Sequence, residues 1–318
     1  MNFLDTILTP FTYVVSWILW AFHELFTRIG MNPDSGVTWT LSIMFLVLLI
    51  RSALIPVFVK QIKAQRAMQA LQPDLRKLQA KYKGKTDQMS RQAMVQEQQA
   101  LFKKHKTNPL SSCLPLLVQM PFFFALFRVL NTASRASSEG RSVGALNADH
   151  IRSFDQSTIF GAPLSETFLG TINSGAVNPA VIVVAIIMIL AMTASQFITQ
   201  RQLMTKNMTK EALEGPFMQQ QKMMLYILPL VFGIGGINFP IGVLIYWTAS
   251  NLWTLGQQFW VIRNNPTPGS EAERELNARR AAKGLPPVGQ KKTEEAEPVV
   301  EPKGQRVQPQ RKNRRKKK

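Results

Sequence analysis

One arginine inside an apolar run has the most to explain in this sequence. Arg51 lies in the stretch from Val37 to Val59, which includes LSIMFLVLLI and ends at Lys60. A guanidinium within hydrocarbon costs at least ~2.5 to 3.5 kcal/mol, so such groups normally face a bundle interior or a water-filled cavity. Polar residues in other apolar runs fall at helical spacing. Trp247, Ser250, Asn251, Thr254, Gln257 and Gln258 are separated by threes, fours and sevens and share one face. Thr193, Gln196 and Gln200 repeat the pattern, and Ser111, Ser112 and Gln119 add to it. Such a set can hydrate a groove and present a cation. It cannot move protons, because the apolar runs from Val37 to Ile262 hold no Asp or Glu, and His23, His105 and His150 lie outside them. Buried-carboxylate transport, aspartyl proteolysis and an HExxH zinc site therefore lack their residues. The single cysteine, Cys113, excludes a disulfide framework and a cysteine-based metal site, and beside Ser112 and Leu114 it reads as a packing residue. With no Gly-rich nucleotide loop either, the sequence predicts no enzyme, no cofactor and no metal site.

The elements that must position these residues are membrane spans. The chain has 318 residues, 46% hydrophobic and 18% charged, with a net charge of +19. These averages suit a soluble protein, but the apolar residues are gathered into runs and the charges into blocks. Crossing roughly 30 Å of hydrocarbon takes about 20 apolar residues in a helix. Five runs qualify, at 37–59, 109–130, 179–200, 223–238 and 240–262. Asn108 with Pro109, and Asn178 with Pro179, are helix starts of the Asn-cap and Pro type. The sequence GIGGINFPIG predicts a tight reversal between the last two spans. Residues 1–36 hold a further helix in which Phe11, Val14, Val15, Ile18, Phe22, Leu25, Phe26 and Ile29 recur at helical spacing. His23, Glu24 and Arg28 interrupt it, and Pro10 limits its start. With Trp17 and Trp20 it reads as an amphipathic helix lying in the interface rather than a sixth span. Asp5 and the lack of a basic leader argue against a signal peptide.

Charge asymmetry predicts the orientation. Residues 60–106 hold twelve Lys/Arg and three acids, whereas 131–178 hold three Lys/Arg and four acids. With the 201–222 link and the tail from Arg263, 32 of the 38 basic residues fall on one side, which the positive-inside rule makes cytoplasmic. An odd span count then leaves the N-terminus outside and the C-terminus inside. Within 60–106, Met68, Leu71, Leu75, Leu78 and Tyr82 form an a/d stripe restarted at Pro73, and a Gln-rich helix from Met89 to Lys104 follows the turn at Lys83, Gly84 and Lys85. This predicts a cytoplasmic helical hairpin. The 263–318 tail, rich in Pro, Glu, Lys and Arg, reads as disordered, and its RKNRRKKK end suits anionic lipid or RNA. With these directions each polar set lies in the cytoplasmic half of its helix, while VIVVAIIMIL, FFFALF and IGVLI fill the outer halves. The expectation is a wet cavity open to the cytoplasm and closed outward.

Three segments carry a resemblance. IRSALIPVFVKQIKAQRAMQALQPDLRKLQAKYKGK, LFKKHKTNPLSSCLPLLVQMPFFFALF and FPIGVLIYWTASNLWTLGQQ resemble, in that order, the YidC membrane protein insertases, relatives of the mitochondrial and chloroplast insertases. The similarity covers about residues 10–262. It implies an all-α polytopic protein in which Arg51 lies in a hydrophilic groove open to cytoplasm and lipid. That groove would receive the polar segment of a client while the client's apolar helix leaves along the third and fifth spans. The matching groove positions are Arg51, Gln119, Gln196, Tyr246 and Trp247, to which the polar face adds Asn251 and Thr254. The hairpin matches a mobile region that helps recruit substrate, and residues 10–29 match an interfacial outer helix. Neither the large extracytoplasmic domain of Gram-negative members nor the lipid-modified cysteine of many Gram-positive members is evident, and the 131–178 insert has no assigned role. The implied function is an insertase and membrane chaperone in a bacterial cell membrane. Its partners would be nascent membrane-protein clients, lipids, the SecYEG translocon and, through the basic tail, the ribosome. The alternative is an anion channel or carrier using Arg51 as its site, which should show internal repeats with paired broken helices. No such repeat is apparent.

Overall fold

The structure is a computed structural model and describes residues 3–108, 114–209 and 216–288. Helix α1 (Phe3–Arg28) begins before Pro10, which correct the expectation that this proline limits its start. Pro10 is carried inside the helix, which forgoes one backbone bond to Thr6. After a short loop, Ser35 caps α2 (Gly36–Ala53) by accepting from the Val37 amide. The first span was expected to run on to Val59. Instead the chain turns at Leu54 and restarts as α3 (Ile55–Ala70). Pro56 is the reason, since it has no N–H to offer the Ser52 carbonyl and clashes with it.

The predicted hairpin follows, with one bend. Helix α3 passes through Leu71 into α4 (Gln72–Tyr82), restarted by Pro73 in its first turn, and Asp87 caps the returning α5 (Gln88–Lys104). Leu71 and Leu75 of the apolar stripe are buried. Lys81 Nζ lies 2.5 Å from Glu97 Oε1, and the Tyr82 hydroxyl donates to the same oxygen at 2.8 Å. These contacts join α4 to α5.

Helix α6 (Leu114–Asn131) returns through the bundle. Its expected start at Pro109, together with Ser111, Ser112 and Cys113, lies outside the described residues. The insert between α6 and the next long helix is folded: α7 (Ala133–Ser138), α8 (Ala148–Gln156), an antiparallel pair β1 (Thr158–Ile159) and β2 (Ala162–Pro163), and α9 (Phe168–Asn173). It closes the end of the bundle opposite the hairpin. Trp39 Nε1 of α2 donates to Ser153 at 3.1 Å. Gly36 is pressed so tightly against β1 that a Cβ there would lie 2.1 Å from the Thr158 carbonyl oxygen.

Asn178 caps α10 (Pro179–Asn207) as expected, and the helix extends seven residues past the predicted Gln200. Helix α11 (Pro216–Gly235), a 3₁₀ turn at Gly236–Asn238 and α12 (Ile241–Asn264) form the predicted reversal. The first amides of α12, Ile241 and Gly242, donate at 2.9 Å to the Glu166 and Leu164 carbonyls of the insert. The insert thereby satisfies N–H groups that a helix start leaves without intrahelical partners.

By length and composition alone, Thr6–Arg28, Gly36–Ala53 and Pro179–Asn207 can each cross a membrane, and the apolar parts of α6 and α11 are shorter. Helix α12 has 24 residues, so its length of about 36 Å is ample; its polar face dilutes its hydropathy. The core between α1, α2, α6, α10 and α12 is built on Leu19, Trp39, Ile43, Leu126, Val181 and Leu244, all at most 1% exposed.

Helix α1 packs against both α2 and α6. The hairpin joins the end of α2 to the start of α6, so the start of α2 and the end of α6 share the opposite end of the bundle. Near its own beginning α1 shares a pocket of about 380 Å³ with Arg128 and Thr132 of α6. Near its end, His23 stacks on Trp39 at 3.9 Å and Phe26 meets Phe45 at 5.2 Å, both on α2. Contacts near both ends of α1 thus include residues of that side, Arg128 and Thr132 at one end and Trp39 at the other.

The expectation that the 263–318 tail is disordered is corrected for its first part. Helix α13 (Glu271–Ala281) stands there. Both the loop before it and its own first part are pinned to the end of α10: the Thr267 amide donates to Asn207 Oδ1 at 2.9 Å, and Lys206 pairs with Glu275 of α13. The chain divides after Leu276 into a large and a small compact unit. Within the small unit the Val288 amide donates to Asn277 Oδ1 at 2.8 Å, and Arg280 Nε donates to the Pro286 carbonyl at 2.7 Å. The RKNRRKKK end lies outside the described residues.

Candidate functional site

The site is centred on Arg51, in the last turn of α2. Ser250 of α12 accepts from its Nε at 3.1 Å and also from Nη2. Ser250 is the tenth of the 24 residues of α12, so Arg51 meets that helix about 14 Å from one end and about 21 Å from the other. It is therefore near the middle of the bundle although it closes its own helix. No Asp or Glu occurs in α2, α6, α10, α11 or α12. The guanidinium is thus held by a neutral hydroxyl, with no carboxylate on those helices to compensate its charge.

Gln119 and Tyr246 stand beside it. Gln119 Nε2 of α6 donates to the Tyr246 hydroxyl at 2.8 Å, and Tyr246 is only 4% exposed. Arg51, Gln119 and Gln257 line a narrow pocket of about 40 Å³ with Leu54, Val57 and Phe58. That is room for one or a few waters. Trp247 does something different. Its ring packs against Phe123 at 4.9 Å, Phe232 at 4.8 Å and Phe239 at 5.5 Å, an aromatic cluster one turn closer than Ser250 to the insert end.

The polar face of α12 is divided between its two edges. Ser250 turns to Arg51, whereas Asn251 Nδ2 donates to the Met192 carbonyl of α10 at 3.3 Å. The Thr254 hydroxyl donates back to the Ser250 carbonyl at 2.9 Å. Asn251 is therefore placed at the contact with α10, whereas Thr254, one turn on from Ser250, stays on the Ser250 face with its hydroxyl bonded within its own helix. Gln196 on α10 is half-buried, and its Oε1 is buried without a hydrogen-bond partner, as is Thr193 Oγ1. These two mark a second polar spot on α10, distinct from the Arg51 pocket.

A larger groove of about 650 Å³ opens next to the Arg51 pocket, between α3 and α12, and shares Phe58 and Gln257 with it. Ile55, Val59, Ile62, Leu252 and Trp260 make it mainly apolar, and Lys63 and Arg66 also line it. The sequence reading missed it by running the first span through Pro56. That proline was the signal.

A family model described as 60Kd inner membrane protein matches residues 30–268. A protein of Streptomyces avermitilis named membrane protein insertase YidC is 49% identical over 277 residues, covering 85% of this chain and 62% of that protein. Its namesake in Tropheryma whipplei is 43% identical over 318 residues, covering 98% of this chain and 97% of its own. The chain belongs to the YidC membrane protein insertase family. It is accordingly a membrane protein of bacterial type, which fits the apolar helices above. The chain spans less than two thirds of the Streptomyces relative and nearly all of the Tropheryma one. A crystal structure of an active YidC insertase with its first transmembrane domain resolved is also similar, with a TM-score of 0.45 and 21% identity, covering 82% of this chain and 47% of that one.

Proposed function

We propose that the chain inserts client transmembrane segments into the bilayer by receiving their polar ends at Arg51. The observation that carries this reading is the uncompensated guanidinium near mid-bundle, bonded to Ser250 in helices free of acids. Such a cation attracts acidic or polar residues at the leading end of a client, and the local hydration shortens the apolar path that end must cross. The aromatic cluster around Trp247 blocks continuation toward the insert end, which supports transfer sideways into lipid rather than a through-channel. Exposed Val183, Ile187 and Leu190 on α10, and Leu252 and Phe259 on α12, offer an apolar surface for the departing helix. Each Leu-like residue of the client contributes ~0.3 to 0.6 kcal/mol on entering hydrocarbon, so partitioning can drive the step.

In this reading the hairpin and the C-terminus are cytoplasmic, the insert is extracytoplasmic and α1 lies in the outer interface. The contacts of both ends of α1 with the insert side of the bundle support that placement. Nascent chains and lipids follow as partners. The SecYEG translocon and the ribosome are the expected neighbours, the latter through the basic tail.

The test is insertion of a client with an acidic translocated end into vesicles containing Arg51→Ala or Arg51→Lys protein. Loss with Ala and substantial retention with Lys is expected. Insertion by the Ala variant equal to wild type for every such client would reject the role of Arg51.

A further inference from the structure

A group of side chains at the insert end, unused by the insertion mechanism, has the makings of a metal site. His23 and Glu24 of α1 and His150 of α8 each offer one ligand atom, and these atoms lie within 4.8 Å of one another. His23 is 3% exposed and its ring is held flat against Trp39. Its Nε2 lies 2.9 Å from the Pro33 carbonyl oxygen, an acceptor, so that nitrogen carries the proton. Nδ1 is then a lone pair, and it is buried without any hydrogen-bond partner. His150 repeats the logic in reverse. Its Nδ1 lies 2.6 Å from Asn147 Oδ1, which also accepts the His150 amide and so acts as an acceptor. In the neutral ring, Nε2 is therefore a lone pair, and it faces the Glu24 carboxylate oxygen at 3.2 Å. Lone pair against carboxylate is unfavourable unless a cation stands between them or the ring takes a second proton.

We propose that His23, Glu24 and His150 bind a zinc-type divalent ion that staples α1 to the insert. Both imidazoles have their outer nitrogen engaged by an oxygen acceptor, the arrangement that orients metal-binding histidines. Zinc takes His nitrogen and carboxylate oxygen at about 2.0–2.2 Å in a tetrahedron, so its ligand atoms stand about 3.4 Å apart. The Glu24–His150 separation already matches. The other separations are at most 4.8 Å. Two neutral imidazoles, one carboxylate and a water complete a four-coordinate site, and Arg28 reaches only the other Glu24 oxygen, at 3.9 Å. The expectation of no metal site from the sequence arose because residues 23 and 150 are far apart in the chain and share no ligand spacing.

The competing state is an imidazolium on His150 paired with Glu24, with no metal. Tag-free protein purified in detergent separates the two when titrated with Zn²⁺ by calorimetry and with Co²⁺ by visible absorption. Stoichiometric binding, with the intense d–d bands of tetrahedral Co²⁺, is expected for the wild type. Glu24→Gln and His150→Gln should each abolish stoichiometric uptake and those bands. Glu24 is part-exposed, so Glu24→Gln is the variant that decides should His150→Gln melt early. No uptake by the wild type, or the same bands in the Glu24→Gln protein, would overturn the proposal.

Discussion

Arg51 shows how much one residue depends on its immediate partners. Its charge is held near the middle of α12 by the Ser250 hydroxyl, and the Gln119–Tyr246 bond keeps a second polar pair beside it. Removing Ser250 leaves the guanidinium without its described acceptor but does not remove the charge. Ser250→Ala is therefore expected to retain more insertion activity than Arg51→Ala, and to lower thermal stability by about 1–3 kcal/mol, the penalty for stranding a buried donor. Paired insertion assays and melting curves check the order of the two effects. Tyr246→Phe deletes the acceptor of Gln119 while preserving the ring, so a decrease in stability of about 1 kcal/mol is expected.

The hairpin is the element whose behaviour should respond to pH. Glu97 lies below the ordinary carboxylate range because the Lys81 ammonium and the Tyr82 hydroxyl hydrogen-bond to it, and Lys81 is raised by the same carboxylate. The Glu97 contribution is present above its unfolded value, near 4.5, and is lost as pH falls through the depressed folded value. The Lys81 contribution is present below its unfolded value, near 10.5, and is lost as pH rises through the raised folded value. The α4–α5 clasp should thus hold between those limits and open at acid pH. Spin labels on α4 and α5 should separate on acidification in the wild type. A Glu97→Gln hairpin should show no such acid transition, and an identical transition in both would remove Glu97 as its cause. Helix α2 yields a second expectation at this scale. Gly36→Ala places a methyl 2.1 Å from the Thr158 carbonyl oxygen, a backbone atom that cannot swing aside. Overpacking of this kind costs about 1–3 kcal/mol or more, which a melting curve will register.

For the whole molecule, the question is how the basic tail relates to the bundle. Residues 289–318 hold eleven of the 38 Lys and Arg. The segment before them is structural, because Thr267 and Glu275 are tied to the end of α10. A truncation after Val288 therefore spares those ties, whereas one after Arg263 would cut them. The shorter truncation is expected to weaken ribosome co-sedimentation in detergent free of anionic lipid, and to leave melting unchanged. Each phosphate contact releases about one counterion, so binding by the intact chain should fall steeply with salt. Equal ribosome binding by both forms would leave the tail as a lipid-surface anchor.

What could be read from the chain followed from local chemistry. The apolar runs, the Asn178–Pro179 start of α10, the Gly- and Pro-rich reversal and the Pro73 restart in the hairpin were legible because each depends on residues a few positions apart. The polar residues that could form a site were legible too, since helical spacing places them on faces. Which of them meet was not. Arg51 and Ser250 are separated by 199 positions, and only the packing of α2 on α12 decides that Ser250 faces the guanidinium while Asn251 turns to α10. The fold of the insert was equally hidden. Its carbonyls cap α12, its Ser153 holds Trp39 and its His150 meets α1, and none of these contacts leaves a periodic trace. Sequence pattern records where a chain will be helical and which face is polar, because those are properties of neighbours. The choice of partner for each polar group rests on the close packing of distant segments, and the tertiary structure alone decides it.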